Sequence, residues 1–263
     1  MSIVGYGPYL LLYCIFVAAL IGAAAGSFLN CAAWRIVHGE SFIRGRSHCP
    51  ACEHTLGPAE LIPILSWILL RGRCKWCGEK ISVRYPLTEL IFSALTVLCV
   101  LRFGLSVLCL RNFLFLCCLF LLSLTDLENM TIPGGCLLTA ALVWVAALPF
   151  LFSGWNDVLA SLLAAAVFGG GLLGISLVMN RLLDRKTLGS GDVLLFAVIG
   201  LYLGLIGSLF ALILACAIAL ALRGLLRRLS GRREFAFGPS AAIAAAALLL
   251  FGEPLIRWYQ GLL

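Results

Sequence analysis

Acidic residues are scarce in this chain, twelve in 263, so those beside apolar runs are informative. Asp126 follows Leu124-Thr125 at the end of one apolar run. Asp192 opens another, in Gly189-Ser190-Gly191-Asp192-Val193-Leu194. Two carboxyl groups brought close together cannot both ionise easily, so such a pair shares a proton. The ionised member takes a proton from water while the protonated member polarises a carbonyl. That is acid–base hydrolysis without a catalytic metal. Glycines before Asp192 let backbone approach a reacting group closely. A plain structural reading competes with this one. Asp192 also suits the start of the helix that follows it, and Asp126 suits the end of a span. Glu128, Asp157 and Asp184 lie near span ends as well.

The twelve cysteines divide into two kinds. Cys14, Cys31, Cys99, Cys109, Cys117, Cys118, Cys136 and Cys216 are scattered through apolar sequence and read as small buried hydrophobes. The other four form Cys49-Pro-Ala-Cys52 and, 21 residues on, Cys74-Lys-Trp-Cys77. Each pair makes a knuckle, and four thiolates close a tetrahedral site suited to structural Zn²⁺. A closed site leaves no position for water, so this metal does no chemistry. Free thiols and two disulfides are the competing readings, and a cytosolic loop disfavours lasting disulfides. His48 and His54 flank the first knuckle, either as alternative ligands or as ordinary polar loop residues.

Other chemistries find no support. The three histidines, His38, His48 and His54, all lie in the cysteine-bearing loop, and no GxSxG, HExxH or P-loop pattern occurs. Phe168-Gly169-Gly170-Gly171-Leu172 follows no soluble strand and reads as helix packing.

The elements that must position these residues are membrane spans. The chain is 62% hydrophobic and 12% charged, with a mean hydropathy of +1.08. A soluble domain of this length carries more polar surface. Apolar runs cover 10–33, 86–101, 106–124, 135–152, 158–178, 193–204, 207–222 and 237–251. About 20 residues make a crossing, so the short sixth and eighth runs are expected to tilt or re-enter. The first is too long for a signal-peptide core and stays as a span. Gly200, Gly204 and Gly207 punctuate residues 193–222, which places a tight turn near Gly204–Gly207.

Charge then orients the bundle. With the N-terminus outside, the inner loops hold Arg35, Arg44, Arg46, Arg71, Arg73, Lys75, Lys80 and Arg84, then Arg181, Arg185 and Lys186, then Arg223, Arg227, Arg228, Arg232 and Arg233. Outer segments 153–157 and 204–207 contain no Lys or Arg, and Arg102 and Arg111 can snorkel from helix ends. The formal charge of +7 therefore reflects membrane orientation, not nucleic-acid binding. Both aspartates fall on the cytosolic side. Residues 1–34 are expected to form the first span, 35–84 a cytosolic zinc-binding subdomain, and 85–263 the remaining bundle. Within the loop, Leu61–Leu70 is too short to cross and should pack on the loop or lie at the membrane interface.

Taken together and in order, these blocks resemble the prepilin peptidases, or type IV leader peptidases, of the GxGD class of membrane aspartic peptidases. Gly26-Ser27-Phe28-Leu29-Asn30 with Arg35 is similar to the N-terminal signature of that family. The two CxxC knuckles, with Arg71-Gly72-Arg73 ahead of the second, match its zinc loop. Arg84-Tyr85-Pro86-Leu87-Thr88-Glu89 matches the return into the membrane. Asp126 with Ile132-Pro133, Gly189-Ser190-Gly191-Asp192 and Phe237-Gly238-Pro239 match its remaining blocks.

The resemblance implies an all-α polytopic bundle of about eight spans in a bacterial inner membrane. It implies Asp126 and Asp192 as catalytic residues, and Cys49, Cys52, Cys74 and Cys77 as zinc ligands. The implied partners are type IV prepilin or pseudopilin leader peptides and membrane lipids. The implied activity is removal of a basic leader after a glycine, followed in many members by methylation with S-adenosylmethionine. Three positions depart from the pattern: Leu194 where a lysine is common, Gly134 after Ile132-Pro133, and Ala236 before Phe237. None removes a carboxylate. A peptidase-only enzyme, or a noncatalytic membrane scaffold with a partner-binding loop, are the other readings.

Overall fold

The computed structural model describes residues 7–41, 45–152, 154–183, 189–230 and 236–261. Arg44, Asp184, Arg185, Lys186, Arg232 and Arg233 lie outside the described residues. The architecture is all-α, a polytopic membrane helix bundle. Among the described residues, six helices are long and apolar enough to cross a bilayer: α1 (Pro8–Val37), α3 (Arg84–Phe103), α4 (Val107–Asn129), α5 (Gly134–Leu151), α6 (Trp155–Leu183) and Ser190–Gly224 of α7 (Ser190–Ser230). Shorter helices are α2 (Leu65–Leu69), α8 (Gly238–Phe251) and α9 (Glu253–Gln260).

All eight apolar runs fall on helices, but two of them share α7, and the run 237–251 lies on a helix of 14 residues. The break inside α7 is at Gly204 alone, with φ 66° and ψ −172°. Gly207 stays helical and buried. Gly104, which ends α3, has nearly the same conformation at φ 66° and ψ −169°. A residue without Cβ enters this left-handed region freely, which makes glycine the stop signal in both places.

The chain forms two compact units, Met1–Cys109 and Leu110–Leu263. In the first, α1 packs along α3. Gly22 and Gly26 lie four residues apart on one face of α1. A Cβ at Gly22 would meet Ser93 Cα at 2.7 Å, and one at Gly26 would meet Glu89 Cα at 3.1 Å. Small residues at this spacing let two backbones touch, the usual way helices associate in lipid. Ser93 Oγ donates to Ala19 O at 2.9 Å across the same contact.

In the second unit α7 is the central element, contacting α5, α6 and α8. Gly200 lies against the backbone of α6, where a Cβ would be 2.7 Å from Ala165 N. Gly169 of the glycine triplet packs against Ala197 of α7, in keeping with a packing role. Phe115 of α4 stacks on Tyr202 of α7 with ring centroids 3.8 Å apart, and Tyr202 Oη donates to Ala140 O of α5 at 2.8 Å.

One expectation about the dispersed cysteines needs correction. Cys99, Cys109, Cys118 and Cys136 are buried, but Cys14, Cys31 and Cys117 are only partly so and Cys216 is exposed. The outer face of a membrane helix meets hydrocarbon, so a thiol is tolerated there without burial in protein.

Candidate active site and metal centre

Three helix ends meet at one end of the second unit: the last turn of α4, the first of α7 and the first of α8. Asp126 comes from α4, which runs on to Asn129, so this aspartate is helical and not in a loop. It is buried at 5% exposure. Its Oδ2 accepts the backbone N–H of Gly238 at 2.8 Å. Gly238 begins α8, whose N-cap Phe237 makes no side-chain cap. The orphan donor of α8 is thus satisfied by a carboxylate from another helix, at the positive end of the helix dipole. The approach excludes a side chain at 238, because a Cβ there would lie 2.6 Å from Oδ2.

Asp192 is the third residue of α7 and is half-buried. Its backbone N–H donates to Gly189 O at 3.1 Å as the helix begins. A Cβ on Gly189 would sit 3.1 Å from Asp192 Oδ2. Gly191 answers to a different neighbour, since a Cβ there would be 2.8 Å from Ile132 Cβ. The Asp192 carboxylate lies within coulombic reach of Asp126. The two aspartates singled out by sequence therefore lie near enough for each to feel the other's charge.

Of the three departures, Leu194 is exposed and directed away from the packed side of α7. Gly134 has open space around it, and Ala236 is half-buried just ahead of α8.

The cysteine centre belongs to the first unit. The Sγ atoms of Cys49, Cys52, Cys74 and Cys77 all lie within 4.8 Å of one another. Zn–S bonds of about 2.3 Å in a tetrahedron put sulfurs about 3.8 Å apart. Cys49 and Cys77 are 3.8 Å apart, so the set fits the ion. The two knuckles repeat one geometry. Cys49 N donates to His54 O and Glu53 N returns to Cys49 O, as Cys74 N donates to Glu79 O and Gly78 N returns to Cys74 O. The fourth residue after each first cysteine is left-handed, Glu53 at φ 57° and Gly78 at φ 74°.

Backbone N–H groups of Cys77 and Trp76 aimed at Cys74 hold its thiol down to about 7, well suited to a metal thiolate. His48 pairs with Thr55, and the His54 ring lies tilted against Trp76 with centroids 4.1 Å apart; neither joins the four-sulfur cluster. Trp76 Nε1 donates to Glu60 Oε1 at 3.1 Å, which ties the second knuckle to the 3-10 turn Pro58–Leu61.

Two buried charges organise the loop, and residue spacing alone assigned them no role. Arg35, at the end of α1, donates from Nη1 to Ser41 O at 3.4 Å and from Nη2 to Arg46 O at 3.2 Å. Glu89 of α3 accepts the N–H of Ile64 at 2.7 Å. The usable signal was polarity out of place, a charge inside an otherwise apolar helix face.

The chain matches the Bacterial Peptidase A24 N-terminal domain over residues 20–103 and the Type IV leader peptidase family over residues 113–224. A Prepilin leader peptidase/N-methyltransferase of Bacillus subtilis (strain 168) is 36% identical over 248 residues, covering 91% of this chain and 95% of the relative. Proteins of the same description from Myxococcus xanthus (strain DK1622) and Aeromonas hydrophila are 36% and 34% identical. They are matched over 77% and 81% of this chain, and over 59% and 74% of their own lengths. No solved structure matches the chain. The matches run in chain order through both cysteine knuckles and both aspartates, and the chain belongs to the type IV leader peptidase family.

Proposed function

We propose that this chain is a membrane aspartic endopeptidase that removes the basic leader of type IV prepilins or pseudopilins after a glycine. The observation that carries this reading is the proximity of Asp126 and Asp192, each carboxylate set closely against a glycine, Gly238 and Gly189 respectively. One carboxylate takes a proton from water as the other donates a hydrogen bond to the scissile carbonyl. Collapse of the tetrahedral intermediate then needs a proton on the leaving amine, which the first carboxylate returns. The fixed amide dipole at Gly238 holds Asp126 in place, so little reorganisation is needed there when charge moves.

In the same reading the bundle crosses a bacterial inner membrane eight times, the two halves of α7 and the helix α8 each counting as a crossing. The N-terminus is outside, and the cysteine loop is a cytosolic subdomain. A substrate anchored by its own apolar segment then presents its leader at the inner surface, where charge patterning puts both aspartates. Cys49, Cys52, Cys74 and Cys77 hold a structural Zn²⁺ that braces the loop and takes no part in hydrolysis. The names of the relatives also include an N-methyltransferase, so methylation of the new N-terminus with S-adenosylmethionine follows cleavage.

The test is cleavage of a prepilin by purified protein in lipid, with Asp126→Asn and Asp192→Asn compared with wild type. Each variant is expected to lose cleavage while keeping its helical content and metal. Full activity in either one removes that aspartate from the mechanism, and an inactive wild type favours the scaffold reading. Mass spectrometry of the product with and without S-adenosylmethionine separates a bifunctional enzyme from a peptidase alone.

A further inference from the structure

The helix α2 leaves its apolar face uncovered. Leu65, Ile68 and Leu69 share one face at helical spacing, and Leu61 and Ile62 precede them. All five are exposed, Leu69 at 71%. Trp67 points the other way: its Nε1 donates to Ile81 O at 3.1 Å, and its ring lies where a Cβ on Gly72 would be 2.8 Å from Cζ2. The indole pins α2 to the loop and commits the leucine face outward. A contiguous apolar patch of this kind on an otherwise polar loop marks an interaction surface.

Glu89 sets the level of the patch. Its carboxylate holds Ile64, a β-branched residue at φ 62°, immediately ahead of α2. Such a residue stays left-handed only when its surroundings enforce it. Glu89 is five residues past the start of α3 at Arg84, about 7.5 Å along the helix axis. The bond therefore ties the head of α2 to the first turns of a membrane span, which itself carries exposed Leu87, Leu90 and Ile91. Arg71, Arg73, Lys75 and Lys80 follow α2 and are all exposed. Segment 35–84 carries eight Lys or Arg against four Glu and no Asp.

We infer that residues 61–69 are a membrane-surface anchor, inserted into the bilayer interface beside α3 with the following cations on anionic phospholipid headgroups. Elements of this type lie in the interfacial plane with one face about 5–10 Å deep, helped by basic residues near acidic lipid. Lipid is the occupant because the patch begins where the loop is tied to the first turns of a span and is bordered by cations. The anchor keeps the four-cysteine centre at the membrane surface. It requires only that α3 spans the bilayer, and it does not depend on peptidase activity.

The experiment uses full-length protein in phosphatidylglycerol-containing nanodiscs doped with a diazirine phospholipid, followed by photolysis and peptide mapping. Label is expected on the 61–70 peptide as well as on the spans. The Leu65→Ser/Ile68→Ser/Leu69→Ser variant should lose it there and keep it on the spans. Arg71→Gln/Arg73→Gln, or a change to pure phosphatidylcholine, should lower the yield on that peptide alone. Label confined to the spans, with rapid hydrogen exchange at 65–69, overturns the anchor. So does protection of 61–69 that appears only on adding a pilin-type peptide, which assigns the patch to protein.

Discussion

The backbone N–H of Gly238 donates to Asp126 Oδ2 at 2.8 Å, joining positions 112 residues apart. The contact explains why a glycine stands at the first turn of α8. A side chain at 238 would occupy the place of the carboxylate oxygen. It also gives the Phe237-Gly238-Pro239 block a physical role, because the start of α8 clamps one member of the aspartate pair.

Gly238→Ala should displace Asp126 without unfolding α8, whose interior does not change. The expected result is a loss of prepilin cleavage of about 100-fold, the scale of an ångström-level misplacement of a reacting group. The loss should fall on kcat, with KM and helical circular dichroism close to wild type. A fully active Gly238→Ala enzyme would show that Asp126 needs no such clamp.

Gly191 and Ile132 form a second steric pair, with 2.8 Å between Ile132 Cβ and a Cβ placed on Gly191. Gly191→Ala should cost about 1–3 kcal/mol in overpacking and lower cleavage. Ile132→Gly, which removes the Cβ itself, should restore part of both in the same chain, with a coupling of about 0.5–3 kcal/mol. Thermal unfolding and cleavage rates of the two single variants and the double variant test this. Additive losses would exclude the contact as the cause.

Metal analysis of gently purified protein should find about one zinc per chain, and Cys74→Ser should abolish it. The pH dependence has a definite sign. The Cys74 thiol is held from its ordinary 9.0 down to about 7, while burial and the neighbouring sulfurs push Cys77 up to about 12, so in the metal-free knuckle Cys74 is the sulfur that carries charge. That contribution is complete above about pH 9 and is lost as pH falls through about 7. Zinc retention against a chelator should therefore weaken steadily below pH 7, as protons compete for the sulfurs. In the metal-free protein, thiolate ultraviolet absorbance should rise around pH 7 and lose that step in Cys74→Ser.

The knuckles differ at one residue in a way that stability measurements can read. Glu53 and Gly78 occupy equivalent left-handed positions, where a side chain is strained by about 1 kcal/mol. Glu53→Gly should make the loop hold its metal more tightly, and Gly78→Ala less tightly, by about fivefold each. Chelator competition measures both. Equal affinities would mean that the surrounding loop absorbs the strain.

Leu194→Lys restores the residue type common in the family at a position exposed on α7. Because this side chain points away from the packed face, cleavage should change by less than about twofold, within the range of surface substitutions. A large gain would place the introduced cation near the carboxylates.

Much of this protein was legible in order along the chain. The helices could be read because hydropathy sums over neighbouring residues: all eight apolar runs fall on helices, six of which, among the described residues, are long and apolar enough to cross a bilayer. The knuckles could be read because Cys49 and Cys52, like Cys74 and Cys77, are positioned by a local turn. The break in α7 was legible only to within four residues, since Gly204 and Gly207 are equally permissive and only Gly204 leaves the helical conformation. Asp126 and Asp192 could be named as candidates, but their pairing depends on how α4 and α7 come together.

By itself, then, the sequence determined the membrane class, the four-sulfur set and which carboxylates were available. Each of these depends on residue type and short spacing. Only the tertiary structure decided that Gly238 clamps Asp126, that Ile132 leaves no room for a side chain on Gly191, and that Glu89 ties Ile64 and the head of α2 to the first turns of α3. Those contacts join residues between 25 and 112 positions apart. They are set by helix packing, where a difference of one ångström separates a hydrogen bond from a clash and no local pattern records the outcome.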